Sequence, residues 1–496
     1  MERKYKEYGQ LDLPKAAEET GAFWQEHHVF EKSVETREGK EPFVFYEGPP
    51  SANGLPGIHH VLSRTIKDLF CRYKTLKGFK VERKAGWDTH GLPVELGVEK
   101  ELGITKEDIG SKISVEEYND ACRKAVMRYT DVWRDVTEKM GYWVDMDDPY
   151  VTYETKYIES VWHLLKTLHD KDLIYKGYTI QPYSPAAGTG LSSHELNMPG
   201  TYRDVKDTTV VAQFKVVRDE KSKPLFNGAF GEVFFLAWTT TPWTLPSNTA
   251  LTVGAKIEYV QVRTYNMYTH QPITVIMARE LAAKYFPEKN AELKLDDYSE
   301  GDKAIPFEFG NSWKGSELEG MRYEQLLPYA QPEDGDAFKV ITGAFVTTED
   351  GTGIVHTAPS FGADDQFVAK QHGIGSLTMV DLQGRFVEQM GEFAGRYVKN
   401  EYYADGEVPE KSVDVDIAIK LKEENRAFKV EKYEHSYPHC WRTDKPVLYY
   451  PLDSWFIKTT AAKDRLIALN NEINWKPAST GTGRFGNWLE NLQDWN

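Results

Sequence analysis

The chain has 496 residues, 40% hydrophobic and 27% charged, a composition that fits a globular protein of two to four domains with no disordered part. Its net charge of −16 makes it a poor non-specific binder of nucleic acid, so any RNA contact needs a local basic patch. No apolar run approaches the roughly 20 residues of a membrane helix, the start MERKYKEYGQLDLPKAAEE has no signal-peptide pattern, and Cys71, Cys122 and Cys440 are too dispersed for a disulfide framework, so a reducing cytoplasm is expected.

Residues 14–30 carry Phe23 and Trp24 in an amphipathic helical pattern, followed by a polar loop through Lys40. PFVFYEG, Pro42 to Gly48, is a run of aromatic and β-branched residues suited to a buried parallel strand. After the loop PPSANGLPG, Leu62, Ile66, Leu69, Tyr73 and Leu76 recur at steps of four and three, one face of a helix that Gly78 ends. The same stretch is basic from Arg64 to Lys84, which reads either as an RNA contact or as a solvated helix face. FKVERKAG is the next strand. Strand, glycine-rich loop, helix and strand make a βαβ unit, which implies a parallel sheet with ligands at the strand C-termini. Ser114 and Glu117 form a capping box ahead of Tyr118, Cys122, Val126, Tyr129, Trp133, Val136 and Met140, and a second helix carries Ile158, Trp162, Leu165 and Leu168. From about Thr208 to about Val398 period-two stretches such as TTVVAQFKVV, GEVFFLAWTTTP and ITVIMA dominate, with a turn at Asp350-Gly351. The expectation is an α/β fold, a Rossmann-like parallel-sheet domain interrupted by a β-rich insert.

GTGRFG is a formal GxGxxG match at Gly481, Gly483 and Gly486, but the ten residues after Gly486 cannot complete a dinucleotide-binding unit. The stronger candidate is PSANGLPGIHHVLSRTIKD. A glycine-rich turn ahead of a helix lets a nucleotide approach the backbone, and the helix N-terminus favours phosphate. Imidazole N–H groups of His59 and His60 could donate to that phosphate as charge develops. Downstream, Asp88 in AGWDTHGLPVE ends a strand, a good place from which to hold an ammonium group.

These residues carry a resemblance. YEGPPSANGLPGIHHVLSRTIKD followed by AGWDTHGLPVE resembles the catalytic half of class I aminoacyl-tRNA synthetases, and Gly86-Trp87-Asp88 with His90-Gly91-Leu92-Pro93 is similar to the isoleucyl type rather than the valyl or leucyl ones. The resemblance implies an ATP site formed by Pro50, Asn53, Gly54, Gly57, His59 and His60, with both histidines as catalytic candidates. It implies an isoleucine site at Gly48, Pro49, Asp88 and His90, with Asp88 on the amino group. WTTTPWTLPSN and GTGIVHTAPSFGADD resemble the editing domain of the same family. There Thr239, Thr240, Thr241, Asn248 and His356 would line a hydrolytic pocket and Asp365 would anchor the aminoacyl ammonium. Cleaving an ester on a tRNA terminus needs such hydroxyls and amides to place water and ribose, and editing corrects weak isoleucine-over-valine discrimination.

The activity so implied is ATP-dependent activation of isoleucine with Mg2+, transfer to tRNA(Ile), and hydrolysis of mischarged valyl-tRNA, by a cytoplasmic monomer. The expected domains are a helical extension at 1–41, the first half of the Rossmann-like domain with the start of a connective insert at 42–204, the editing domain at 205–398, and the return of the insert with the start of a second catalytic half at 399–496. The family's Lys-Met-Ser-Lys-Ser loop is not present in these residues, so they read as the N-terminal portion of a longer synthetase, without full synthetic activity. A fragment active only as a deacylase, and a non-catalytic tRNA-binding module, are the alternatives. Four positions depart from the family pattern. Gly57-Ile58-His59-His60 exchanges the first and third positions of His-x-Gly-His, Phe361 replaces a usual histidine, and Thr443 stands where many relatives pair a second cysteine with Cys440, so no structural zinc and no other metal site is expected.

Overall fold

A computed structural model describes residues 9–496; the part of the expected N-terminal extension on residues 1–8 lies outside them. The chain divides into two compact units, one running through Tyr175 and resuming at Ile457–Asp494, the other Lys176–Phe456. The second interrupts the first, as expected of an insert. No helix among the described residues is long and apolar enough to cross a membrane.

The first unit contains helices α1 (Leu13–Glu26), α2 (Val29–Glu35), α3 (Ile58–Leu76), α4 (Leu92–Leu102), α5 (Val115–Val126), α6 (Thr130–Lys139) and α7 (Thr155–His169), with strands β1 (Lys84–Trp87) and β2 (Asp145–Val151). β1 and β2 pair in parallel, Trp87 opposite Val151. Ala52, Trp87, Trp133 and Val151 pack into a small core beneath them. The capping box forms: Ser114 Oγ accepts the Glu117 N–H at 3.2 Å and the Glu117 carboxylate accepts the Ser114 N–H at 3.1 Å.

Several local expectations need correction. Pro42 to Gly48 is not a buried strand. Phe43 N–H donates to Lys80 O and Lys80 N–H to Glu41 O, but pairing stops there and Val44 and Tyr46 are exposed. Beyond it the backbone is held by side chains instead, Tyr150 Oη donating to Glu47 O at 3.0 Å and Lys67 Nζ to Gly48 O at 3.3 Å. The first helix breaks at His28, which adopts a left-handed conformation (φ 49°), and α2 occupies part of the expected loop. The helix after Ser114 breaks before Tyr129, because the Tyr129 N–H donates to Ala52 O at 3.0 Å, outside the helix. Trp162 and Leu165 on α7 are exposed.

The orientation of α3 is a separate finding. The helix forms as expected and ends ahead of Gly78 (φ +97°), but its apolar stripe faces outward: Leu62, Leu69 and Leu76 are 65%, 64% and 83% exposed. The buried residues are Arg64, Cys71 and Thr75. Aromatic rings explain the inversion. The Arg64 guanidinium lies 5.1 Å from the Trp133 ring centre and 5.5 Å from that of Tyr142, and donates to Thr137 Oγ1. Arg72 stacks on Trp143 at 3.9 Å and on Trp24 at 4.8 Å while pairing with Asp68. Arg83 is buried, with its guanidinium on Thr75. Each cation gains ring contacts that an apolar residue could not offer. Arg64, Arg72 and Arg83 of the basic run are therefore internal support, while Lys77 and Lys84 are exposed.

The second unit is built on a nine-stranded mixed sheet. A three-stranded sheet accompanies it, with β4 (Thr189–Gly190) beside β3 (Ile174–Ser184), and β3 beside β14 (Leu448–Ile457). In the large sheet, β5 (Tyr202–Lys215) pairs antiparallel with β6 (Glu232–Thr239), and on its other side with β13 (Ala427–Pro438). β7 (Ala250–Val253), β8 (Glu258–Tyr265), β9 (Pro272–Ala278), β10 (Phe307–Lys314), β11 (Lys339–Thr342) and β12 (Ile354–Thr357) complete it. The sheet thus takes a strand from beyond residue 398. Phe214, Phe235, Leu236, Val262 and Ile276 are in its core, which explains the near-continuous apolar runs of β5, β6 and β9. The glycines of GTG have a structural task. Gly351 (φ +68°) and Gly353 (φ +72°) turn the chain into β12, and a Cβ on Gly353 would come within 2.4 Å of Ala278 Cβ.

Candidate functional site

In the first unit, the loop from Gly48 to Gly57 leads into α3. Gly57 caps that helix, its N–H donating to His60 Nδ1 at 2.9 Å while its carbonyl accepts the His60 N–H at 3.0 Å. With Nδ1 occupied as an acceptor, the His60 proton resides on Nε2, free to donate to an oxygen at the positive end of the helix. The ring is braced by Trp133, edge-on at 4.8 Å, and by His59, tilted at 3.8 Å. Burial first, then His59 and Arg64, lower its pKa, so it is neutral at pH 7. Trp133 Nε1 also donates to Gly54 O at 2.9 Å, tying the loop to α6.

The same loop meets the end of β1, where Asp88 N–H donates to Pro50 O at 3.0 Å. The Asp88 and His90 side chains are exposed, and His90 Nδ1 lies 3.1 Å from Thr152 Oγ1. Pro49 and Asn53 are half-buried, and Gly48 and Gly54 exposed, along this loop. The structure therefore gathers the residues expected for ATP and amino acid at one loop and one strand end. It adds Glu47, which the sequence reading missed: its buried carboxylate pairs with Lys67 at 2.7 Å and accepts from Tyr142. Its place next to Gly48 in YEGPP was the available signal. Chemically, this corner offers a neutral imidazole donor and a helix N-terminus to an anion, and a carboxylate to an ammonium.

In the second unit, the two expected editing segments bond to one another. Thr239 ends β6, and its Oγ1 accepts the Thr241 N–H at 3.1 Å; half-buried Thr240 lies between them. The turn Pro242–Ser247 brings Thr244 back over Thr241, its Oγ1 donating to Thr241 O at 2.8 Å and lying 3.3 Å from Thr241 Oγ1. His356, on β12, bridges this turn to Asn248: Nε2 is 3.0 Å from Thr244 Oγ1 and Nδ1 is 2.9 Å from Asn248 Nδ2. Burial alone pushes the imidazole pKa down to about 3.

Asp365 lies in the first turn of the helix Ala363–Gln371, and its Oδ2 accepts the Ala358 N–H at 2.9 Å. Burial, with Asp364 adding, raises its pKa to about 6 against that bond, and the residue as a whole is half-buried. A cavity of about 620 Å³ is lined by Pro359, Ser360, Gln366, Thr378, Tyr450 and Asp453 among others, but not by Asp365. Phe361 packs edge-on against Trp243 at 5.0 Å, so the residue in the usual histidine position serves aromatic packing. The sequence reading missed Thr244 and Tyr323, whose Oη donates to Asn248 Oδ1 at 2.7 Å. Thr244 carried a signal, three residues after Thr241 on a turn; Tyr323, 75 residues from Asn248, carried none. Among the described residues no group of three or more histidines, cysteines, aspartates or glutamates could hold a metal ion.

Residues 19–496 match the family model described as tRNA synthetases class I (I, L, M and V). Isoleucine--tRNA ligase of Cytophaga hutchinsonii is 63% identical over 99% of this chain and 45% of its own length. The protein of the same name from Porphyromonas gingivalis is 60% identical over 100% of this chain and 46% of its own length. The chain thus spans a little under half the length of these curated relatives. A solved ternary complex, Agrobacterium radiobacter K84 agnB2 LeuRS-tRNA-LeuAMS, aligns at 14% identity and a TM-score of 0.31 over 87% of this chain and 50% of that one, too slight a likeness to carry an argument.

Proposed function

The chain belongs to the class I tRNA synthetases, and from that premise we propose that it is the N-terminal portion of an isoleucine–tRNA ligase, which activates isoleucine with ATP, transfers it to tRNA(Ile) and hydrolyses mischarged valyl-tRNA. In this reading His60 Nε2–H and the N-terminus of α3 meet the ATP phosphates, Asp88 takes the isoleucine ammonium, and any Mg2+ arrives on the triphosphate. A cytoplasmic monomer fits a chain that needs neither membrane nor disulfide.

Hydrolysis is assigned to the second unit. The observation that carries it is the bonded cluster of Thr239, Thr241, Thr244, Asn248 and His356, with the Asp365 carboxylate held to the residue that follows β12. The threonine hydroxyls can orient the ester and a water, with the imidazole holding Thr244 in place, and Asp365 can hold the free ammonium that distinguishes an aminoacyl ester from other esters. The test measures release of valine from valyl-tRNA(Ile) by residues 1–496 and by Asp365→Ala. The expected result is hydrolysis by the parent and a loss of about 10²-fold or more in the variant. Equal rates would remove Asp365 from the site.

A further inference from the structure

The hydrogen bonds around His356 have a direction, and it can be traced from Tyr323. The Tyr323 hydroxyl meets Asn248 Oδ1 at 2.7 Å, and a carbonyl oxygen can only accept. The Asn248 amide nitrogen then faces Ala250 O at 2.8 Å and Thr357 O at 3.4 Å, two more acceptors, and His356 Nδ1 at 2.9 Å. Rotating that amide by half a turn would set its oxygen against both backbone carbonyls, so the carbonyls set the orientation, and the Tyr323 hydroxyl, donating to Oδ1, holds it there. One amide hydrogen serves the carbonyls and the other is aimed at Nδ1. That nitrogen therefore accepts, and the ring proton resides on Nε2, 3.0 Å from Thr244 Oγ1. Thr244 accepts it and passes its own hydrogen to Thr241 O at 2.8 Å. Every step of this chain has one sense.

Resting on the hydrolytic reading above, we propose that Tyr323 is a positioning residue: through Asn248 it locks His356 as the Nε2–H tautomer, so that His356 is a fixed donor to Thr244 and not the base that takes a proton from water. Tyr323 is suited to the task. It is 2% exposed, its ring is clamped edge-on by Phe214 at 5.4 Å and Phe338 at 6.2 Å, and its N–H donates to Phe338 O at 3.1 Å. Burial raises its hydroxyl pKa well above the usual value, which keeps the donor proton in place. No charged group acts on His356; burial alone keeps it neutral. With both ring nitrogens engaged, it has no lone pair to offer a water.

Two measurements on the 496-residue chain test this. The first is 15N NMR of the histidine rings, with His356 assigned from His356→Gln. The expected spectrum is a single Nε2–H tautomer, unchanged from pH 8 to pH 5.5, that becomes a tautomer mixture in Tyr323→Phe. An Nδ1–H form, protonation within that range, or an unchanged spectrum in Tyr323→Phe would overturn the lock. The second is valyl-tRNA(Ile) hydrolysis. Here kcat of Tyr323→Phe should fall about tenfold at unaltered KM, the consequence of one buried oxygen losing its donor, and a step near 6 in the parent pH–rate profile, where Asp365 titrates, should be kept in His356→Gln. A step near 6.5 that disappears in His356→Gln would make the histidine a base and overturn the proposal. If neither protein cleaves valyl-tRNA while the NMR result holds, the hydrolytic assignment fails and the tautomer lock stands.

Discussion

At the scale of single residues, the exchange of glycine and histidine in PGIHH has a steric cause. A Cβ on Gly57 would stand 2.8 Å from His59 Cε1 and 2.9 Å from its Nδ1, so the His59 ring occupies the space that Gly57 leaves open. The two positions are therefore coupled. Gly57→Ala should impair isoleucine activation by the complete enzyme, and His59→Gly should relieve that loss when combined with it, giving an interaction energy of about 1–3 kcal/mol in a double-mutant cycle. Strictly additive effects would refute the coupling. A second residue-scale expectation follows from His356. Its folded-state pKa of about 3 lies below the ordinary 6.5, so the unfolded chain binds a proton below pH 6.5 that the folded chain refuses. Its contribution to stability is thus fully present above pH 6.5 and lost on acidification, by roughly 2 kcal/mol at pH 5. Denaturant unfolding should show His356→Gln losing less stability than the parent between pH 7.5 and pH 5; equal losses would mean that the imidazole protonates in the folded state.

At the scale of elements, the loop that carries Thr241 and Thr244 is held by a helix far from it in sequence. Asp414, in the helix Val413–Glu423, is 4% exposed and its Oδ1 accepts the Trp243 N–H at 2.8 Å. Burial, opposed by Lys399, raises its pKa to about 7. A carboxyl whose folded pKa is raised keeps its proton while the unfolded chain loses one, so stability is greatest below about pH 4 and declines as pH rises toward 7, by roughly 4 kcal/mol at the outside. Asp414→Asn keeps the acceptor and removes the charge. Its unfolding free energy should gain on the parent steadily from pH 4.5 to pH 7.5, and a constant difference would place the titration elsewhere. This helix also shows where sequence reading stops. VDVDIAIK alternates like a strand, yet its side chains pack as a helix against β5 and the turn Pro242–Ser247, a tertiary fact no period reveals. β5, β6 and β9 were legible because their apolar runs are buried on both faces. The threonine, asparagine, histidine and aspartate candidates were named through motif resemblance, whereas Thr244 was missed although it stands three residues after Thr241 on the same turn. Tyr323 was not, because a donor 75 residues from its acceptor leaves no local trace.

At the scale of the whole molecule, α3 displays a row of apolar side chains that its own unit does not cover. Ile58, Leu62, Ile66, Leu69, Phe70, Tyr73 and Leu76 are all exposed, and Val44, Tyr46 and Leu55 add to the exposed apolar surface nearby in sequence. Seven large side chains along one helix exceed what isolated surface hydrophobes explain, and such contiguous patches bind apolar probes or other surfaces. The period-four pattern marks one face of a helix but does not say that this face is buried, since arginine stacking on Trp133, Trp143 and Tyr142 decides which side turns inward. The row is therefore expected to govern how these 496 residues behave in solution. Leu62→Gln combined with Leu69→Gln should lower binding of the apolar dye ANS and reduce self-association in sedimentation, while thermal stability stays within about 0.5 kcal/mol, the range for substitutions at exposed positions. Arg64→Leu should do the opposite. It removes the buried cation from Trp133 and Tyr142 and strips Thr137 of a donor, so unfolding should come earlier by about 1–3 kcal/mol with the dye signal undiminished. If instead the double glutamine variant is the one that unfolds early, the apolar row is packed in solution and α3 is turned the other way.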